Sequence, residues 1–224
     1  MVAQQTDPLG SRAMRIGVLA LQGAFAEHVA MLRRLGAEAV EVRLPAHLDG
    51  LDGLIIPGGE STTIGKLATI YNLLDRLRSF VADGRPVYGT CAGLIMLAGR
   101  LDQEQDQPLL GGMDMTVRRN AFGRQGQSFE QGISMPALGE EAPFPAIFIR
   151  APLITAVGPG VDVLARLPGG DIVAARQGNL LVTAFHPELA GDARLHTLFL
   201  EMCRHPGDRS QRQPDRCPCP GDRD

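Results

Sequence analysis

Apolar positions along the chain change period again and again. "MRIGVLA" (14–20) is a compact apolar run of strand length. In "QGAFAEHVAMLRRLG", which follows, Phe25, Val29 and Leu32 recur at helical spacing, and Gly36 is the expected stop. "AEAVEVR" (37–43) alternates like a strand, and "DGLIIPGGEST" (52–62) reads as a buried strand breaking into a glycine turn. Tyr71 to Ala82 reads as a helix ended by Gly84. "PVYG" is the next strand, and "CAGLIMLAGR" (91–100) the helix after it. Strands alternating with helices imply βαβ units. The expected fold is α/β, with three layers: a mostly parallel sheet carrying helices on both faces.

The second half is richer in strand patterns: "MDMTVRR", "AIFIR", "VDVLARL", "DIVAARQ" and "LLVTAF". Glycines between Gly123 and Gly139 suggest loops, and Asp192 to Arg204 fits a last helix. No internal repeat or linker divides the chain. The expected organisation is one domain over 14–205, with a disordered extension over 1–13 and a disordered, Pro-rich tail over 206–224. Parallel α/β sheets carry their sites at the C-terminal ends of strands. The segments after "LIIP", "VYG", "FIR" and "TAF" are therefore the places to look.

Composition narrows the function classes. A net charge of −3 gives no electrostatic case for nucleic acid or an anionic membrane. No apolar run approaches the ~18 residues a spanning helix needs. The opening "MVAQQTDPLGSRAM" has neither the basic start nor the apolar stretch of a signal peptide, so a cytoplasmic location is expected. The four cysteines, Cys91, Cys203, Cys217 and Cys219, match no zinc-site spacing and should be free thiols in a reducing cytosol. His28, His47, His196 and His205 lack any special setting and read as surface residues.

Cys91 is different. It lies between Gly89 and Gly93 in "PVYGTCAGLI", a G-x-C-x-G spacing at an expected strand-to-helix turn. Small neighbours relieve crowding at a sharp elbow, and a helix N-terminus favours a thiolate. The N–H of Ala92 would face an oxyanion formed by attack from the sulfur. The bland alternative is a buried packing cysteine.

A thiol acyl-transfer enzyme also needs a base and a group to orient it. "TAFHPEL" supplies candidates. His186 follows an apolar run, Pro187 ends the strand, and Glu188 stands two residues on, facing the same way if the chain is extended. "IIPGGEST" adds Gly58 and Gly59, whose backbone N–H groups can approach a ligand closely. A phosphate loop is excluded: five residues separate Gly59 from Gly65, and Leu67 stands where a Ser or Thr is required. The alternatives are a tight turn capped by Ser61 or Thr62, and a substrate loop with the Gly59 N–H as a second oxyanion donor.

Together these elements resemble class I glutamine amidotransferases, which have a flavodoxin-like fold and release ammonia from glutamine with a Cys-His-Glu triad. The likeness is greatest to the glutaminase subunits of pyridoxal 5′-phosphate synthase. It is carried by "GVLALQG", "PGGESTT", "GTCAGLI", "RRNAFGRQ", "SFE", "FIRAP", "VAARQGN" and "FHPEL", spread from Ile16 to Leu189. The resemblance implies Cys91 as nucleophile, His186 as general base and acid, and Glu188 as its orienter. It implies Gly59, Glu60, Ser61, Arg119, Ile149 and Arg150 around the L-glutamine substrate, and no metal or cofactor. The implied partner is a (β/α)₈-barrel synthase subunit that uses the ammonia to make pyridoxal 5′-phosphate. A cysteine peptidase or redox protein of similar fold, and a non-catalytic regulatory subunit, are the competing classes. The polar segment "LDQEQDQPLLGG" (101–112) has no evident tie to the site and reads as a surface loop.

Overall fold

The computed structural model describes residues 12–102, 107–121, 128–139 and 142–207. Most of both expected disordered ends, including Cys217 and Cys219, lies outside the described residues. The first half runs β1 (Arg15–Leu19), α1 (Phe25–Arg34), β2 (Glu38–Val42), β3 (Gly53–Ile56), α2 (Ser61–Ile70), α3 (Leu74–Ala82), β4 (Val87–Thr90) and α4 (Ala92–Leu97). The second half is β5 (Ala98–Leu101), β6 (Met113–Arg118), β7 (Ser128–Ile133), β8 (Phe144–Ile149), β9 (Leu153–Val157), β10 (Asp162–Arg166), β11 (Ile172–Gln177), β12 (Leu180–Thr183) and α5 (Arg194–Arg204).

The main sheet has the order β2-β1-β3-β4-β12-β11-β9-β6-β5, with β10 beside β11. From β2 to β12 every pairing is parallel. The strands β3, β4 and β12 are buried throughout, as continuous apolar runs in a covered parallel sheet should be. β4 shows the two covered faces. Tyr88 packs on Phe199 and His196 of α5, while Gly89, the next residue, faces α4. β6 alternates buried and half-buried residues and joins the antiparallel extension through β9. β7 and β8 form a separate hairpin.

Register places the site. Thr90 pairs with Thr183, so β4 and β12 end level. Cys91 and His186 both follow from that common edge. Among the described residues no helix is long and apolar enough to cross a membrane.

Several local expectations change. Residues 61–70 form α2, not just a turn, and its N-cap is Glu60, whose carboxylate accepts from the Thr62 and Thr63 N–H groups. "STTIGKLATI" holds β-branched residues and a glycine, so propensity hid the helix. Packing restores it: Ser61, Ile64, Gly65 and Ala68 are buried, and Gly65 lies against Pro108. Asn72, at φ 56°, separates α2 from α3, which therefore begins at Leu74 and not at Tyr71. The helix after Cys91 stops at Leu97, because Ala98–Leu101 pairs with β6. β7 occupies part of the expected Gly123–Gly139 loop region, and β9 carried no recognised signal.

Candidate active site

Cys91 sits at φ 47° and ψ −100°, a conformation L-residues avoid, between the last residue of β4 and the first of α4. Its N–H donates to the Thr183 carbonyl at 2.8 Å, which ties the elbow to β12. Both flanking glycines are required by close approach. A Cβ on Gly89 would lie 2.5 Å from the Gly93 carbonyl, and one on Gly93 would collide with the carbonyl of Ile56. The sulfur is nearly buried and lies 3.8 Å from the Ile149 carbonyl oxygen at the end of β8.

His186 follows β12, and its N–H donates to Ile147 of β8 at 2.8 Å. Its Nδ1 lies 2.7 Å from Glu188 Oε1. The expected contact forms by a different route: Pro187–Leu189 is a short 3-10 turn, so Glu188 curls back on the imidazole and does not share an extended face with it. Burial alone would lower the His186 pKa. Hydrogen bonds to the Cys91 sulfur and to Glu188 outweigh it and push the value up to about 10. With Nδ1 engaged, Nε2 is the nitrogen left for the sulfur.

A cavity of about 150 Å³ opens beside the sulfur. It is lined by Gly59, Glu60, Ser61, Cys91, Ile95, Arg119, Asn120, Ile149, Arg150 and His186. Eight of the ten residues named from the sequence thus reach one cavity. Ala92 begins α4 directly after the elbow, and Glu188 stands behind His186. Cys91, Asn120 and Arg150, at φ 47°, 48° and 45°, are three of the four non-glycine residues with positive φ among the described residues. Such strain concentrates where surrounding structure over-determines a functional backbone.

The charged groups in the cavity are already organised. Arg119 reaches Glu60 Oε1 at 2.7 Å and Thr62 Oγ1 at 3.1 Å. Glu60 Oε2 accepts from Thr63 N–H at 2.7 Å and Thr63 Oγ1 at 2.8 Å. Burial alone would raise the Glu60 pKa, but the hydrogen bonds from Thr63 and Thr62 prevail and bring it down to about 2. The Gly58 carbonyl accepts from Ala24 N–H at 3.0 Å. In a trans peptide the Gly59 N–H then points away from Ala24.

Two residues escaped sequence reasoning. Gln22 Oε1 accepts from Glu60 N–H at 2.7 Å and so pins the glycine loop; its signal was its place in "GVLALQG". Gln107 Oε1 accepts from Ser61 Oγ and Arg119 Nη1, each at 3.1 Å. It belongs to the segment expected to be a surface loop without a tie to the site, and that expectation is corrected. A second correction concerns His28 and His196, expected at the surface: both are completely buried. Among the described residues no cluster of three or more His, Cys, Asp or Glu side chains could hold a metal ion.

Residues 18–205 match the SNO glutamine amidotransferase family. The chain belongs to that family. A relative described as pyridoxal 5'-phosphate synthase subunit PdxT from Herpetosiphon aurantiacus is 59% identical over 191 residues, covering 84% of this chain and 100% of that protein. One from Nocardioides sp., with the same description, is 54% identical over 195 residues, 85% of this chain and 96% of that one. A crystal structure described as a glutamine amidotransferase superposes with a TM-score of 0.79 at 52% identity, over 84% of this chain and 98% of that one. PurLQS from Thermotoga maritima, at 16% identity, shares the fold with a TM-score of 0.64, over 85% of this chain and 99% of that one. As a member of the glutamine amidotransferase family, the chain has the class I amidotransferase architecture expected from its sequence.

Proposed function

We propose that this chain is the glutaminase subunit of a pyridoxal 5′-phosphate synthase, with residues 14–205 as the working domain. It hydrolyses L-glutamine to L-glutamate and ammonia. The Cys91 thiol passes its proton to His186, and the sulfur attacks the side-chain amide carbon. The Gly59 and Ala92 N–H groups receive the oxyanion. The C–N bond breaks, nitrogen leaves as ammonia with a proton from His186, and a glutamyl thioester remains. His186 then takes a proton from water, whose oxygen attacks the thioester carbon. The C–S bond breaks, glutamate leaves, and the sulfur regains its proton from His186. Glu188 holds the imidazole in the tautomer this requires.

The observation that carries the reading is the line from sulfur to imidazole to carboxylate, set at a strained elbow and opening on a cavity that holds both charge signs. Glutamine carries an α-carboxylate and an α-ammonium. Arg119 and Arg150 supply cations, Glu60 an anion, and Ser61 and the Ile149 carbonyl complete the pocket. Ammonia passes to a (β/α)₈-barrel synthase partner, and pyridoxal 5′-phosphate is a product of the complex, not a cofactor of this chain. No metal takes part, and the complex works in the cytoplasm.

The test is glutamate and ammonia release from glutamine, by the chain alone and with excess synthase subunit. Turnover should be poor alone and rise in the complex. Absence of glutamine turnover in both conditions would refute the reading.

A further inference from the structure

Behind the triad lies a second, wholly buried polar line that the proposed chemistry does not use. His28 on α1 and His196 on α5 are both fully inaccessible. His28 Nδ1 lies 2.9 Å from His196 Nε2. His28 Nε2 lies 3.2 Å from Thr90 Oγ1, in the residue before Cys91, and 3.3 Å from Glu188 Oε2. α1 also packs on the turn that carries Glu188.

Chemistry selects one arrangement of protons here. Glu188 Oε1 is taken by His186, and Oε2 is buried with no hydrogen bond of its own, His28 Nε2 standing 3.3 Å away. A carboxylate oxygen left unpaired in the interior is expensive. If His28 carried its proton on Nδ1, its Nε2 lone pair would face that carboxylate. His196 would then have to hold its proton on Nδ1, which is buried without a partner. With the proton of His28 on Nε2, the N–H donates to Thr90 Oγ1 and sets its positive end beside Glu188 Oε2, 3.3 Å away, and His28 Nδ1 accepts from His196 Nε2. The His196 Nδ1 lone pair is then unmatched, a smaller cost than a stranded N–H, and the Glu188 oxygen faces an N–H and not a lone pair. Burial pushes the His28 pKa well below its usual value, and a proton on His196 or His186 would push it the same way. Both rings therefore serve as neutral, polarised connectors.

We propose that His28, its tautomer set by His196, is a positioning residue for the Cys91–His186–Glu188 triad, fixing the Glu188 carboxylate from behind and tying it through Thr90 to the nucleophile elbow. The proposal rests on the glutaminase reading. His28 touches neither substrate nor sulfur. It limits rotation of the carboxylate whose other oxygen aligns His186, so its loss should appear in turnover and not in glutamine binding.

The experiment is a double-mutant cycle between His28→Phe and Glu188→Gln, on the full chain with its synthase partner. In the wild-type background His28→Phe should lower kcat by about tenfold to a hundredfold, as losses of outer-shell orienters do, with KM changed less than about threefold. In the Glu188→Gln background the same substitution should cost almost nothing. His28→Gln, which keeps a donor toward Glu188, should recover part of the loss. An unchanged kcat in His28→Phe, or an equal loss in both backgrounds, overturns the proposal and leaves His28 a packing residue. Should His28→Phe fail to fold, His28→Gln and His196→Phe close the same cycle. Wild-type turnover in Glu188→Gln alone would instead refute the triad, and the positioning role with it.

Discussion

Acid should loosen this fold through a histidine far from the solvent. His196 is fully buried, and its pKa is lowered to about 4, first by burial and then by the positive charge of Arg34. In the unfolded chain it titrates near 6.5. Between those two values the unfolded chain binds a proton that the folded one refuses. Stability from this group is therefore complete above pH 6.5 and is lost as pH falls toward 4. Integrated from pH 7.5 to 4.5, the loss is roughly 2–3 kcal/mol, from a slope of up to about 1.4 kcal/mol per pH unit. His28 acts in the same direction. The carboxylates of Glu60 and Asp192, held below their usual range, lose their contributions at lower pH and would blur the wild-type curve. Comparison with His196→Gln cancels them, since Gln keeps a donor for His28 but cannot titrate. Urea unfolding measured across this range should show the variant's deficit against wild type shrinking by about 2–3 kcal/mol as pH drops. Two parallel stability curves would refute the buried, neutral state assigned to His196.

Cys91→Ala should abolish glutamine hydrolysis with the fold intact, and turnover within about tenfold of wild type would remove Cys91 as nucleophile. Cys91→Gly should be equally inactive yet more stable than Cys91→Ala by about 1 kcal/mol, because glycine releases the strain at φ 47°; a lower Tm for the glycine variant would contradict that. Gly58→Ala places a methyl group against the His186 ring, 2.8 Å from Nδ1, so the ring or the glycine loop must shift. Displacement of that size should cut kcat by about a hundredfold with Tm little changed, and a kcat within threefold of wild type would show that the loop absorbs it harmlessly.

The sequence by itself determined the parallel half of the sheet and the chemistry at its edge. Short continuous apolar runs bounded by glycine and proline, alternating with helical patterns, fit covered strands, and "GTCAG" and "FHPEL" mark where two of them end. Those signals are local, written within a few residues. What the tertiary structure decided depended on partners distant in the chain. Ala98–Leu101 became a strand because β6 lay beside it, and α2 formed on the surface that α4 and Pro108 offered. Gln107 came to support the cavity wall because Ser61 and Arg119 were there to hold it. His28 and His196 are 168 residues apart, and no spacing in the sequence marks them as neighbours. Two histidines look like surface residues until folding closes the interior around them. Once it does, an unpaired polar atom becomes costly, and that cost holds each ring on its partner.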